Sequence, residues 1–180
     1  MKNLNALLFT LGFFIISCSN STDPDYNQFY DSLTGIDAKA AIVLGNDWKD
    51  LAPKIKTHVT STEVIFEFPD GRTVKKNLPT DSFYVAIAPY INNTHECSQH
   101  YPSSCTGELF EKIIKIKAED ENGIIFYDSN IPTLKNGFFE IWLPRNKNVK
   151  LQIEYNSMKG EETIPTKSDS RTCITTIKLK

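Results

Sequence analysis

The chain has 180 residues, of which 40% are hydrophobic and 23% charged, and a net charge of −2. That length suits one medium domain or two small ones, and the composition is that of an ordinary globular protein. With near-neutral charge and no polybasic run, nothing drives it electrostatically toward nucleic acid or anionic lipid.

Met1-Lys2-Asn3 is a short, positively charged start, and Leu4 to Ile16 is almost wholly apolar. The run is too short for a stable membrane span and fits a signal sequence. It closes on Ile15-Ile16-Ser17-Cys18, which resembles the bacterial lipobox, in which the cysteine is lipidated and becomes the mature N-terminus. Residues 1–17 are therefore expected to be a lipoprotein signal peptide and Cys18 its lipidation site; a plain secretory peptide is the other reading. Either one sends the protein out of the cytoplasm, to the bacterial cell envelope. No other apolar run is long enough to span a membrane, so the lipid is the only expected membrane anchor.

Residues 18–33 are rich in Asn, Ser and Asp and are expected to form a flexible tether. Thr34-Gly35-Ile36-Asp37 has the look of a capping box. A short helix follows through Ala38, Ala41, Ile42 and Leu44, with Gly45-Asn46 as its stop. Val64, Phe66 and Phe68 alternate with polar-side neighbours, as in a half-buried strand. Pro69-Asp70-Gly71 turns the chain, and residues 72–78 return. Residues 34–80 thus read as a small α+β domain of one helix and a hairpin.

From Phe83 the pattern is almost all β. Phe83, Val85 and Ile87 share one face; so do Ile114, Ile116 and Ala118. Asn122-Gly123 is a strong hairpin turn. Phe139-Ile141-Leu143 and Val149-Leu151-Ile153-Tyr155 follow, and Lys159-Gly160 is expected to turn the chain again. The last strand is expected to carry Cys173, Thr175, Ile177 and Leu179 on one face. Residues 81–180 therefore read as a β-sandwich of immunoglobulin or transthyretin-like type. The fold class is mainly β, α+β overall.

Beyond Cys18 there are three cysteines, Cys97, Cys105 and Cys173. An odd number in an oxidising compartment leaves at least one sulfur without a disulfide partner in the chain, which calls for a metal or redox role. His95, Cys97, His100 and Cys105 fall within eleven residues of a long loop between two strands, a usual place for a site. Thiolate is soft and selects Cu(I), zinc or iron–sulfur clusters over hard cations, and imidazole suits copper and zinc. Zinc in a structural site normally takes four protein ligands, whereas Cu(I) accepts three sulfurs. Whether Cys173 meets the loop is not written in the spacing; it sits at the start of its strand, on the sandwich rim. Two readings of the residues stay open. Cys97 and Cys105 form a metal site with Cys173, assisted by His95 or His100; or they close the loop as a disulfide in a surface interaction module without metal. His58, on a separate strand, is read as structural. No nucleophile elbow, phosphate loop or His-Glu-x-x-His motif occurs, so no catalytic residue is assigned.

The run His95-Glu96-Cys97, His100 and Cys105-Thr106-Gly107-Glu108 resembles the CueP family of periplasmic copper-binding proteins. So do Asn136-Gly137-Phe138, Ile141-Trp142-Leu143-Pro144 and Thr172-Cys173-Ile174-Thr175-Thr176. The resemblance runs from about Gly35 to the end. It implies a copper site made by Cys97, Cys105 and Cys173, and a role in copper sequestration, resistance or delivery to a copper-accepting periplasmic protein. It also implies an auxiliary thiol-dependent reduction of Cu(II), with a thiol-based reductase of Cu(II) or Fe(III) as the alternative function, and an N-terminal unit that serves as a homodimer contact.

Overall fold

The computed structural model describes residues 25–180. The expected signal peptide, Cys18 and the first part of the expected tether lie outside those residues. From Tyr26 to Ser32 the chain is helical (α1), with the Asp25 carboxylate accepting from Asn27 N–H at 2.9 Å. The expectation of a tether up to residue 33 is therefore corrected over its second half: Tyr26, Phe29 and Tyr30 pack against the core. A polar composition hid three aromatics at helical spacing.

Helix α2 spans Ala38–Leu51. Its N-cap is Asp37, which accepts from Ala40 N–H at 2.8 Å; the cap is thus the fourth residue of the expected box, not its first. Ala38, Ala41, Ile42, Gly45 and Trp48 form the buried stripe, at the spacing of one helical face. Gly45-Asn46 does not stop the helix. A Cβ on Gly45 would meet Thr57 Cγ2 at 2.8 Å, so the glycine is where the helix lies close against a strand. The stop comes at Ala52, whose successor is Pro53; the residue before a proline disfavours helical backbone.

A three-stranded antiparallel sheet follows: β1 (Lys56–Val59), β2 (Glu63–Glu67) and β3 (Thr73–Asn77), in that order. The β2–β3 hairpin turns where Pro69-Asp70-Gly71 places it. The second sheet has the order β10-β4-β7, with β4 at Ser82–Ile87, β7 at Phe139–Pro144 and β10 at Cys173–Ile174. The third has the order β6-β5-β8-β9: β5 Ile113–Asp120, β6 Ile125–Pro132, β8 Asn148–Tyr155 and β9 Met158–Pro165. Asp120 Oδ1 accepts from the N–H groups of Asn122 and Ile124 and so fixes the β5–β6 turn. The expected turn at Lys159-Gly160 is displaced. Asn156 and Ser157 make it, at φ 49° and 66°, and β9 runs through Gly160. Asn and Ser tolerate that backbone.

The second and third sheets face each other as a sandwich. Phe83, Val85, Ile87, Phe139, Ile141 and Leu143 meet Ile114, Ile116, Val149, Leu151 and Ile153 in one core. The mainly β class, with its N-terminal helix and hairpin, is as the sequence indicates. The other face of β4 is also buried. Tyr84, Ala86 and Ala88 join Ile42, Trp48, Phe66, Phe138, Cys105 and Cys173 in a second core. Strand β4 is therefore covered on both faces, which explains its continuous apolar run.

Cys173 corrects a further expectation. It lies in the second core, while Ile174, Ile177 and Leu179 lie in the first. The strand is only two residues long and is interrupted after Ile174, so strict alternation does not continue from Cys173 to Leu179.

The long loop ends in a close backbone crossing. Gly107 N–H donates to Asn136 O at 2.7 Å. A Cβ on Gly107 would lie 2.7 Å from Gly137 O and 2.9 Å from Ala88 Cβ. Gly137 is itself at φ +82°, where only glycine is unstrained. Gly107→Ala should destabilise the fold by about 1–3 kcal/mol through overpacking, measured as a lower urea midpoint with an unchanged m-value.

Candidate metal centre

Three structural attachments bring the sequence-distant residues together. The first is the parallel pairing of β10 with β4, in which Cys173 stands beside Ala86. Ala86 N–H donates to Thr172 O at 2.9 Å and Ala88 N–H to Ile174 O at 2.8 Å. The second pins the middle of the loop. Val59 N–H donates to His100 O at 2.8 Å, Thr172 N–H to Ser98 O at 3.0 Å, and His100 N–H to Thr172 Oγ1 at 3.2 Å. The Thr172 hydroxyl in turn donates to Val59 O at 2.6 Å. The third ties the loop's far end to α2: Lys49 Nζ donates to Cys105 O and Thr106 Oγ1, both at 2.9 Å. Cys105 thus arrives beside both Cys97 and Cys173.

Cys97, Cys105 and Cys173 are free thiols. The sulfurs of Cys97 and Cys105 are 3.6 Å apart. This is too far for a disulfide bond of about 2.05 Å, but close to the roughly 4 Å that two sulfurs keep on one metal with bonds of about 2.3 Å. The Cys173 sulfur lies 3.9 Å from His100 Nδ1. The donor atoms form two overlapping groups: His95, Cys97 and Cys105; and His100, Cys105 and Cys173. Within each, every donor lies within 4.8 Å of the others. Cys105 belongs to both. All five residues singled out in the sequence as metal candidates are brought together, and His58 stands apart from them, its ring stacked on Tyr101 at 5.3 Å.

The three thiols are unequal. Cys105 is pulled down, because the Cys173 and Cys97 thiols and the His100 ring all stabilise its thiolate; Tyr101 N–H also faces its sulfur at 3.4 Å. Cys173 is pushed up by the neighbouring Cys105 and Cys97 sulfurs and by its burial. Cys97 is raised to about 11, chiefly by its hydrogen bond to Cys105. Sulfurs this close favour loss of a proton from Cys105 first, and a soft cation bound among them would displace the remaining protons.

His100 is fully buried and wedged against Phe138, ring centroids 4.7 Å apart. Its Nε2 has no hydrogen-bond partner among the described residues, but Glu140 Oε1 lies 3.6 Å from it. Asn46 Nδ2 donates to that same oxygen at 2.8 Å. A carboxylate beside an imidazole favours a proton on the nitrogen that faces it and a lone pair on the other. A metal held among the sulfurs would take up the Nδ1 lone pair in that tautomer. The spacing of the cysteines and histidines could not point to Glu140 and Asn46. The signal available was the alternation in Phe139-Glu140-Ile141, which sets Glu140 on the face of β7 opposite the sandwich core.

The first part of the loop hangs on Glu108. Its carboxylate accepts from the N–H groups of Ile91, Asn92 and Asn93 at 2.7, 2.9 and 3.2 Å. Burial alone would raise its pKa, but the Asn92, Ile91 and Asn93 N–H groups together hold it at about 2. A depressed carboxylate contributes stability that is present above its unfolded value near 4.5 and lost as pH falls toward 2. Hydrogen exchange at Ile91, Asn92 and Asn93, taken relative to the intrinsic rate at each pH, should therefore speed up between those values. In Glu108→Gln it should already be fast at neutral pH.

Comparison with known proteins gives the same direction. No curated protein matches the sequence. A crystal structure described as that of S.CueP is similar at 29% identity with a TM-score of 0.75, covering 90% of this chain and 99% of that one. The family model "Periplasmic copper-binding protein CueP" matches residues 45–178, which include all five metal-candidate residues, so the chain belongs to the CueP family.

Proposed function

We propose that this protein is a copper binder of the cell envelope, which holds Cu(I) through the thiolates of Cys97, Cys105 and Cys173, with His100 and His95 beside them. The observation that carries the reading is the gathering of three free thiols and two imidazoles around Cys105. Soft sulfur donors in low number suit Cu(I) better than zinc. The ion is cargo, held for sequestration, resistance or delivery to a copper-accepting periplasmic protein. Binding would also keep the thiols reduced in an oxidising compartment, since a bound thiolate does not attack disulfides. A lipid on Cys18 and a homodimer contact through residues 34–80 belong to the same proposal.

Competition against a Cu(I) chelator tests it. Cys97→Ser, Cys105→Ser and Cys173→Ser should each weaken Cu(I) by at least the roughly 10–100-fold that loss of an outer-shell partner costs, and Glu140→Gln should fall within that range. Unchanged affinity in Cys173→Ser would remove that residue from the site.

The 3.6 Å separation of the Cys97 and Cys105 sulfurs favours an auxiliary reading. The pair can give one electron to each of two Cu(II) ions and close a disulfide, releasing two protons and two Cu(I). Reduced protein mixed with Cu(II) should then produce Cu(I) with the loss of two thiols per two copper ions. If Cu(I) does not appear, pure binding stands.

A further inference from the structure

The two donor groups differ in depth. His95 is exposed, Cys97 half-buried and Cys105 buried; His100, Cys105 and Cys173 are all buried. A cavity of about 520 Å³ opens over the first group. His95, Cys97 and Cys105 line it together with Tyr101 and Thr106, and neither His100 nor Cys173 does. Phe138, itself fully buried, touches both imidazoles, with centroids at 6.4 Å from His95 and 4.7 Å from His100. The two rings therefore sit at different stations along one aromatic wall. The backbone of His95 is held in place independently of any metal: its carbonyl accepts from Thr175 Oγ1 at 2.5 Å, and the Thr94 hydroxyl donates to Thr175 O.

We propose that copper enters by a two-position path, captured at the outer station by His95, Cys97 and Cys105 and retained at the inner station by His100, Cys105 and Cys173. This rests on the copper reading above and assigns the two histidines separate duties. Cys105 stays bonded throughout. As the ion moves inward, bonds to Cys173 Sγ and His100 Nδ1 form and the bonds to His95 and to Cys97 Sγ break. The proton that Cys173 gives up is matched by the one that Cys97 regains on the cavity side, and the copper remains Cu(I). Moving from three donors to three donors by overlap avoids a bare ion at any stage. Release follows the same steps in reverse. His95 therefore lowers the barrier in both directions, whereas His100 and Cys173 hold only the end state.

Stopped-flow kinetics separate these duties. Capture is followed with Cu(I) supplied as its bicinchoninate complex, and release with excess bathocuproine disulfonate. His95→Ala should slow capture and release together, by about tenfold each. His100→Phe, which fills the same apolar space, should leave capture fast and speed release by about tenfold or more. Because His100 is buried, Cys173→Ser is the second variant and should behave in the same way. If wild-type protein takes no Cu(I) from bicinchoninate, the copper reading itself falls, and this inference falls with it. If wild type takes Cu(I) but His95→Ala captures it at the wild-type rate, the two-position path alone is overturned. It is equally overturned if Cys173→Ser captures as slowly as His95→Ala.

Discussion

Two backbone hydrogen bonds, from Ala86 to Thr172 and from Ala88 to Ile174, attach the end of the chain to the central strand of the fold. They decide whether a metal site exists. Without that short parallel pairing, Cys173 would be a solitary thiol 68 residues from its nearest cysteine. With it, the sulfur is held beside Ala86, on the face of β4 that packs against the N-terminal helix and hairpin. A parallel neighbour must come from elsewhere in the sequence, so the pairing is necessarily long-range. The loop bearing the other two thiols is fixed to the same place, because Thr172 also receives His100 N–H and is bonded to Ser98. One threonine, through its backbone and its hydroxyl, thus registers both halves of the site.

The site lies at a seam. The sandwich core is sealed on one side of β4, and the second core, between β4 and the helix–hairpin unit, holds Cys105, Cys173 and Phe138. That location supplies both properties a Cu(I) site needs. Apolar walls exclude water and oxidant from the inner sulfurs, and the loop itself leaves an open mouth on the outer ones. It also places polar groups from α2 within reach: Asn46 holds Glu140 behind His100, and Lys49 grips the carbonyl of Cys105. The helix thus shapes the site without offering a ligand.

Much of this was legible in the sequence, and the gaps have physical causes. Strands with clean alternation, such as Val149-Leu151-Ile153, were readable because one face meets the core and the other meets water. The cysteine and histidine cluster was readable because its members are close in sequence. Gly45 was misread because a glycine inside a helix and a glycine ending one look alike; only the strand lying 2.8 Å from its would-be Cβ tells them apart. The face of Cys173 was misread because alternation holds only while a strand continues, and β10 stops after Ile174. Glu140 and Asn46 meet across 94 residues, a contact that no local pattern encodes.

The most direct test of the account is X-ray absorption at the copper edge of the protein loaded with one equivalent of Cu(I). The account predicts a shell dominated by sulfur at roughly the 2.3 Å of metal–thiolate bonds, which loses one sulfur when Cys173 is replaced by serine. A shell of nitrogen and oxygen alone, or a spectrum identical in wild type and Cys173→Ser, would contradict it.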